Sequence, residues 1–275
     1  MVFAAAKKIG WVNDDSHRLD HIGFGTVQGE DGKRFKTRSG DTVRLVDLLD
    51  EAVSRMELSL KERIAEGRAN ISEEEVHETA SAMGYGAVKY FDLRRNPTSN
   101  YVSFGFRWWR GVVCSCTLLL LIPIYYVFLS LSPSFQIFSY DRMLDTKGNT
   151  AIYLLYAHAR LESIITKGKA DHGIDIDALI REGKAQIVLA HKSERNLGLH
   201  LQCFADSIEE TLKDLYPYHI CDFLYELSIA ASEFVTQCKV LGSPEMESRL
   251  LLCRATAITM RQCFDLLGIR HVMRI

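Results

Sequence analysis

The chain has 275 residues, enough to bury a sizeable core and to hold one or two domains. Its 33 basic residues against 35 acidic ones give a net charge of −2, which excludes a globally basic nucleic-acid binder and leaves any RNA contact to local basic patches. Seven cysteines without a close C-x-x-C pair exclude a zinc ribbon or disulfide scaffold, and five of them (Cys203, Cys221, Cys238, Cys253, Cys263) are expected as reduced thiols at core positions of a cytosolic protein.

The first residues, Met-Val-Phe-Ala-Ala-Ala-Lys-Lys, lack a signal-peptide apolar stretch and cleavage site, and Ala4 to Trp11 reads as a short helix end. His21 to Val27 alternates small and apolar residues and predicts a strand. Its His21-Ile22-Gly23-Phe24 lacks the second histidine of an H-I-G-H ATP motif and does not start a helix, so the strand reading stands. Gln28 to Asp41 is a Gly- and charge-rich loop with Lys33, Arg34, Lys36 and Arg38 in a glycine-flanked turn. On spacing alone this is a solvated basic turn. The chemistry such lysines could serve is neutralisation of charge on a leaving pyrophosphate. Val43 to Glu66 predicts a long amphipathic helix with Leu45, Leu48, Leu49, Ala52 and Met56 on one face. Ser72 is the expected cap of the next helix, with Glu75 completing a capping box. That helix runs to about Arg94, with a break expected at Gly84 to Gly86, and Asn96-Pro97 ends it.

Val102 to Gln136 is of a different composition, with two charged residues in 35, Arg107 and Arg110. Val112 to Ser132 is 21 uncharged residues, long enough by hydropathy for a transmembrane helix. The codons tell a rival story. Val102-Ser103 can be written GTAAGT, a preferred intron start, and Phe135-Gln136 can be written TTTCAG, a preferred intron end. The residues between are those of T-rich codons. Excision joins Asn96-Pro-Thr-Ser-Asn-Tyr101 to Ile137-Phe-Ser-Tyr-Asp-Arg-Met-Leu in smooth, soluble-looking sequence. A translated intron is therefore the preferred expectation, with a membrane anchor as the alternative.

From Asn149 the pattern is helical almost throughout, with helices expected near 149–167, 175–192, 195–215, 218–239 and 245–267. Ser243-Pro244 reads as an N-cap followed by proline at the first helical position. Leu250, Cys253, Ala257, Met260, Phe264 and Leu267 form the core face of the last helix, and Gly268 ends it. A helix bundle follows. In Asn149 to Arg160, Tyr153, Tyr156 and Arg160 could serve stacking and phosphate contacts to single-stranded RNA, although an ordinary core helix with one satisfied histidine explains the same spacing. His191 and Glu194 read as exposed helix polarity, and no nucleophile triad, Walker loop or dinucleotide fingerprint is present.

Several pieces in order resemble one family. They are Gly29-Glu-Asp-Gly-Lys-Arg-Phe-Lys-Thr-Arg38 with Thr42 to Glu51, Gly84-Tyr-Gly-Ala-Val-Lys-Tyr90, Gly148-Asn-Thr-Ala with Tyr156-Ala-His-Ala-Arg160, and Leu250 to Ala257 with Leu266-Leu-Gly-Ile269. Together 1–101 and 137–275 resemble the C-terminal portion of arginyl-tRNA synthetase, in its eukaryotic and plant-like form. The resemblance implies a mainly α chain: the C-terminal end of a class I Rossmann-type catalytic domain, then an all-helical anticodon-binding bundle. It divides the chain into a catalytic-domain remnant (1–42), a connecting helical region (43–101), the apolar insertion (102–136) and the anticodon-binding domain (137–275). Lys33, Lys36 and Thr37 then belong to a variant K-M-S-K-S loop, with Lys36 stabilising phosphates during amino-acid activation. Tyr156, His158, Arg160, Arg249 and Arg270 are assigned to tRNA. The implied reaction is arginine–tRNA ligation, with ATP and Mg2+ as cofactors and tRNA(Arg) and arginine as partners. No metal site of the chain's own and no membrane partner are expected, and the expected location is the cytoplasm. Because the H-I-G-H motif and arginine pocket are absent, this chain alone is expected to be inactive as a ligase. A non-catalytic tRNA-binding module is the alternative.

Overall fold

The computed structural model describes residues 1–13, 15–23, 27–28, 44–69, 71–96, 101–103 and 137–275. Lys33, Lys36 and Thr37, and residues 104–136 of the apolar tract, lie outside the described residues. The expected first helix is α1 (Val2–Lys8), with Phe3, Ile9 and Trp11 exposed. Of the expected strand, His21 to Gly23 are irregular, Val27 belongs to β1 (Val27–Gln28), and 24–26 lie outside the described residues. β1 pairs in parallel with β2 (Tyr101–Ser103), which pairs in parallel with β3 (Ile137–Phe138). The register sets Val27 opposite Tyr101 and Val102 opposite Ile137. Parallel strands need long crossovers, and the described residues of the first one here form two α-helices.

Those helices are α2 (Leu45–Ala65) and α3 (Val76–Leu93). Ala52, Val53, Met56 and Leu60 recur at helical spacing and bury one face of α2 against α3. Leu45, expected on that face, is exposed in the first turn of α2. The capping box forms as expected: Ser72 N donates to Glu75 Oε2 at 3.1 Å, ahead of a 3-10 turn (Glu73–Glu75) that leads into α3. The expected break at Gly84 to Gly86 does not occur, and α3 is continuous. A Cβ on Gly84 would lie 2.9 Å from Val53 N and 3.0 Å from Val53 Cα. A Cβ on Gly86 would lie 3.0 Å from Ile269 Cγ2. Two residues along a helix turn the chain by about 200°, so the two glycines open opposite faces of α3, one to α2 and one to the C-terminal tail.

A short helix α4 (Tyr140–Met143) leads to α5 (Ala151–His172), capped by Thr150 Oγ1, which accepts from Tyr153 N at 3.1 Å. The helix expected over 175–192 is only α6 (Ile176–Arg181), ended by Gly183 at φ +67°. The helix expected over 195–215 is two, α7 (Lys192–Gln202) and α8 (Phe204–Asp214), which meet at Cys203. Cys203 is exposed there, against expectation, while Cys221, Cys238, Cys253 and Cys263 are buried. Burial pushes the Cys253 and Cys263 thiols up to about 12, so both are inert at neutral pH. His191 N-caps α7 and Glu194 completes a capping box, giving these two residues a local structural role. α9 (Tyr218–Gln237) and α10 (Met246–Leu266) complete the bundle. Ser243 does not cap α10; its Oγ donates to Val240 O at 3.1 Å and the helix begins after Glu245. Leu250, Cys253, Ala257, Met260 and Phe264 are fully buried as expected, and Gly268 at φ +64° ends α10.

Candidate nucleic-acid interface

Helix α5 has two unlike faces. Ile152, Leu155 and Ala159 are buried in the bundle. Tyr156, Arg160, Ser163 and Lys167 fall at steps of four, three and four, so they form one row on the outside. Arg160, Ser163 and Lys167 are exposed, while Tyr156 is half-buried. The Arg63 guanidinium of α2 lies 4.6 Å from the Tyr156 ring centroid. Burial pushes the Tyr156 phenol above its ordinary range, so it stays neutral. The row presents two exposed cations spaced along one face, beside an aromatic ring backed by a third. That arrangement suits a phosphate backbone with a neighbouring base.

The other assigned residues are elsewhere. His158 is fully buried on the opposite side of α5. Its Nδ1 lies 3.1 Å from the Val272 carbonyl, which can only accept, so Nδ1 bears the hydrogen. Nε2 is then a lone pair, 3.7 Å from Glu162 Oε1 and without a hydrogen-bond partner. Burial pulls the imidazole down to about 4, partly offset by the Val272 bond and reinforced by His271, Arg261 and Arg254, so it is neutral at pH 7. His158 therefore belongs to the interior and not to an RNA-facing surface. Arg249 is largely buried and donates from Nε to Glu194 Oε1 at 2.7 Å and from Nη1 to Lys239 O at 3.0 Å. Its position is also interior. Arg270 is exposed on the tail and ion-paired to Glu78 of α3.

Sequence reasoning missed Arg63, Ser163 and Lys167. Ser163 and Lys167 were legible, because they sit three and seven residues beyond Arg160. Arg63 had no signal, since only the tertiary fold brings it to Tyr156. Also unforeseen is Glu162, a buried carboxylate that accepts from Arg261 Nη2 at 3.0 Å and lies 3.6 Å from Arg254 Nη1. Among the described residues no group of His, Cys, Asp and Glu could hold a metal ion.

Two family descriptions match in succession. Class I tRNA synthetases (R), catalytic domain, covers residues 1–108, and the DALR anticodon binding domain covers 154–275. The chloroplastic/mitochondrial arginine–tRNA ligase of Arabidopsis thaliana is 48% identical, over 100% of this chain and 37% of its own length. The cytoplasmic arginine–tRNA ligase of the same plant is 45% identical, over 100% of this chain and 40% of its own length. The crystal structure of arginyl-tRNA synthetase from Plasmodium falciparum superposes with a TM-score of 0.70 at 27% identity, covering 100% of this chain and 38% of that one. The chain thus spans about two fifths of the length of the curated relatives it matches. With both matched segments in the family's order, the chain belongs to the arginyl-tRNA synthetase family and corresponds to the C-terminal portion of that longer enzyme.

Proposed function

We propose that this chain supplies the tRNA-facing part of an arginine–tRNA ligase. The observation that supports it is the row Tyr156, Arg160, Ser163 and Lys167 on the outer face of α5, within the stretch matched to an anticodon binding domain. Arg160 and Lys167 neutralise phosphates, and Tyr156 with Arg63 offers a planar edge to an unstacked base. ATP-dependent attachment of arginine to tRNA(Arg) is proposed for a polypeptide with the full length of the family. In it Lys33, Lys36 and Thr37 would hold the phosphates of ATP, and Mg2+ would add charge neutralisation there. His158 and Arg249 act by holding the bundle together, and Arg270 is the tail's candidate phosphate contact.

Filter binding of a tRNA(Arg) transcript across a salt series tests this reading. Binding that weakens steeply with salt is expected. Arg160→Ala is expected to weaken it by about tenfold and to lower the magnitude of the salt slope by about one. A wild-type chain with no salt-dependent affinity would overturn the proposal.

The apolar tract has its own test. No helix among the described residues is long and apolar enough to cross a membrane, and residues 104–136 of the tract are outside that set. We propose that 102–136 is a translated intron. Excision of 102–136 is expected to move the expressed protein from the pellet to the soluble fraction with its tRNA affinity present. Carbonate-resistant membrane retention of the intact chain would support the anchor instead.

A further inference from the structure

The C-terminal tail does not trail from the bundle. Gly268, at φ +64°, turns the chain back, with Ile269 N donating to Phe264 O at 2.8 Å. Ile269 is buried, with its Cγ2 in the space that Gly86 leaves by having no side chain. Lys89 Nζ donates to the Gly268 carbonyl at 2.5 Å. Arg270 pairs with Glu78, about three helical turns nearer the start of α3 than Lys89. Val272 is buried and its carbonyl accepts from His158 Nδ1 at 3.1 Å, while the His271 ring meets the His158 ring edge-on at 5.6 Å. The tail is thus tied to α3 on one side and to α5 on the other.

The two ends of α3 are held differently. Near its C-terminal end, the single Tyr90 hydroxyl hydrogen has two acceptors in reach, Asn149 Oδ1 at 2.6 Å and Cys221 O at 3.1 Å from Oη, and Arg94 Nη1 donates to Asn149 O at 2.6 Å. These bonds pin that end to the bundle directly. The earlier turns face the tail, across a groove of about 280 Å3 lined by Glu75, Glu78, Thr79, Arg270, Val272 and Arg274 among others.

We infer that the C-terminal tail is a clasp that fixes the orientation of the α2–α3 pair on the bundle. It holds the N-terminal half of α3, and with it α2, against α5, while Tyr90 and Arg94 form the pivot. Opening the clasp uncovers the first turns of α3, which then fray, and lets the pair swing about that pivot without unfolding the bundle. His158 is the clasp's anchor on the bundle side, a buried histidine with its Nδ1 on the Val272 carbonyl and its ring against His271. In the context of the proposed function, the clasp is a positioning device. It sets the helices that follow the basic loop against the RNA-facing row of α5.

Hydrogen exchange of the full chain, measured without RNA, tests the clasp itself. Truncation after Ile269 is expected to speed exchange in 76–86 by roughly tenfold, with 218–234 of α9 unchanged. Unchanged exchange in 76–86 would overturn the clasp. So would an equal loss of protection through α9 and α10, because that would make the tail an ordinary part of the core. If the truncated chain fails to fold, the double variant Lys89→Met with Glu78→Gln cuts the side-chain ties and leaves the backbone intact. It is expected to shift 76–86 in the same direction by a smaller factor, and no shift would count against the clasp. tRNA binding measured in parallel, expected to fall on truncation, reports on the function reading separately. A clasp that opens in a chain with no tRNA affinity would sink that reading and leave the clasp standing.

Discussion

Arg249→Ala is expected to lower the stability of the chain by about 3–5 kcal/mol, the cost of leaving a buried partner charge unpaired. The partner is Glu194, whose side chain is 1% exposed. One of its oxygens accepts from Arg249 Nε at 2.7 Å and the other from His191 N at 2.8 Å. Burial alone would push the Glu194 carboxyl up, but these two donors hold it below its ordinary range. The pair's contribution is therefore present above the unfolded carboxylate pKa and is lost as pH falls through the lower folded value. Denaturant unfolding at pH 7 and in acid checks both statements. The wild-type midpoint is expected to drop in acid, and the variant is expected to start low and change less. An RNA-binding arginine would behave oppositely: the variant would unfold like wild type and lose only affinity for tRNA.

That contrast shows where the sequence stops informing. Arg249 sits in a helix beside Leu250, and nothing within one turn indicates the glutamate 55 residues earlier. An arginine in a domain expected to bind RNA was assigned to RNA, although it packs inward. The same limit applied to His158, whose tail partner Val272 is 114 residues away. Local features fared better. The capping box at Ser72 and Glu75 uses neighbours, and it forms. The core face of α10 follows from spacing alone, and its five leading positions are fully buried. The division of 195–215 into α7 and α8 left no trace in the pattern, because Cys203 keeps near-helical dihedrals (φ −73°, ψ −2°) while its N–H turns to His200 O, three residues back. The likeness to a synthetase family was legible because its motifs stand in order. The outer row of α5 was half legible, since periodicity gave Tyr156 and Arg160 but not Arg63 above the ring.

Gly84→Ala is expected to destabilise the chain by about 1–3 kcal/mol, although alanine is the better helix former by about 1 kcal/mol. The sign follows from what the new methyl meets. Its three nearest neighbours are Val53 N, Val53 Cα and Ala52 C, at 2.9, 3.0 and 3.1 Å, all backbone atoms of α2. A backbone cannot rotate away, so α2 and α3 must separate along their length and loosen Ala52, Val53, Met56 and Leu60, all buried between them. Gly86→Ala is the internal control. Its methyl would meet Ile269 Cγ2 at 3.0 Å, a side-chain atom that can shift by a few tenths of an ångström. Its expected cost is below about 1 kcal/mol, because relief of the contact and gain in helix propensity nearly cancel. Urea midpoints of the two variants decide the matter. Gly84→Ala as stable as wild type would mean that the helices do not approach this closely, and the sequence's hint of a break at Gly84-Tyr85-Gly86 would regain its force. A large loss at Gly84 with a small one at Gly86 would show a continuous helix that uses two glycines for different ends: a rigid seat on α2 and a yielding one under the tail.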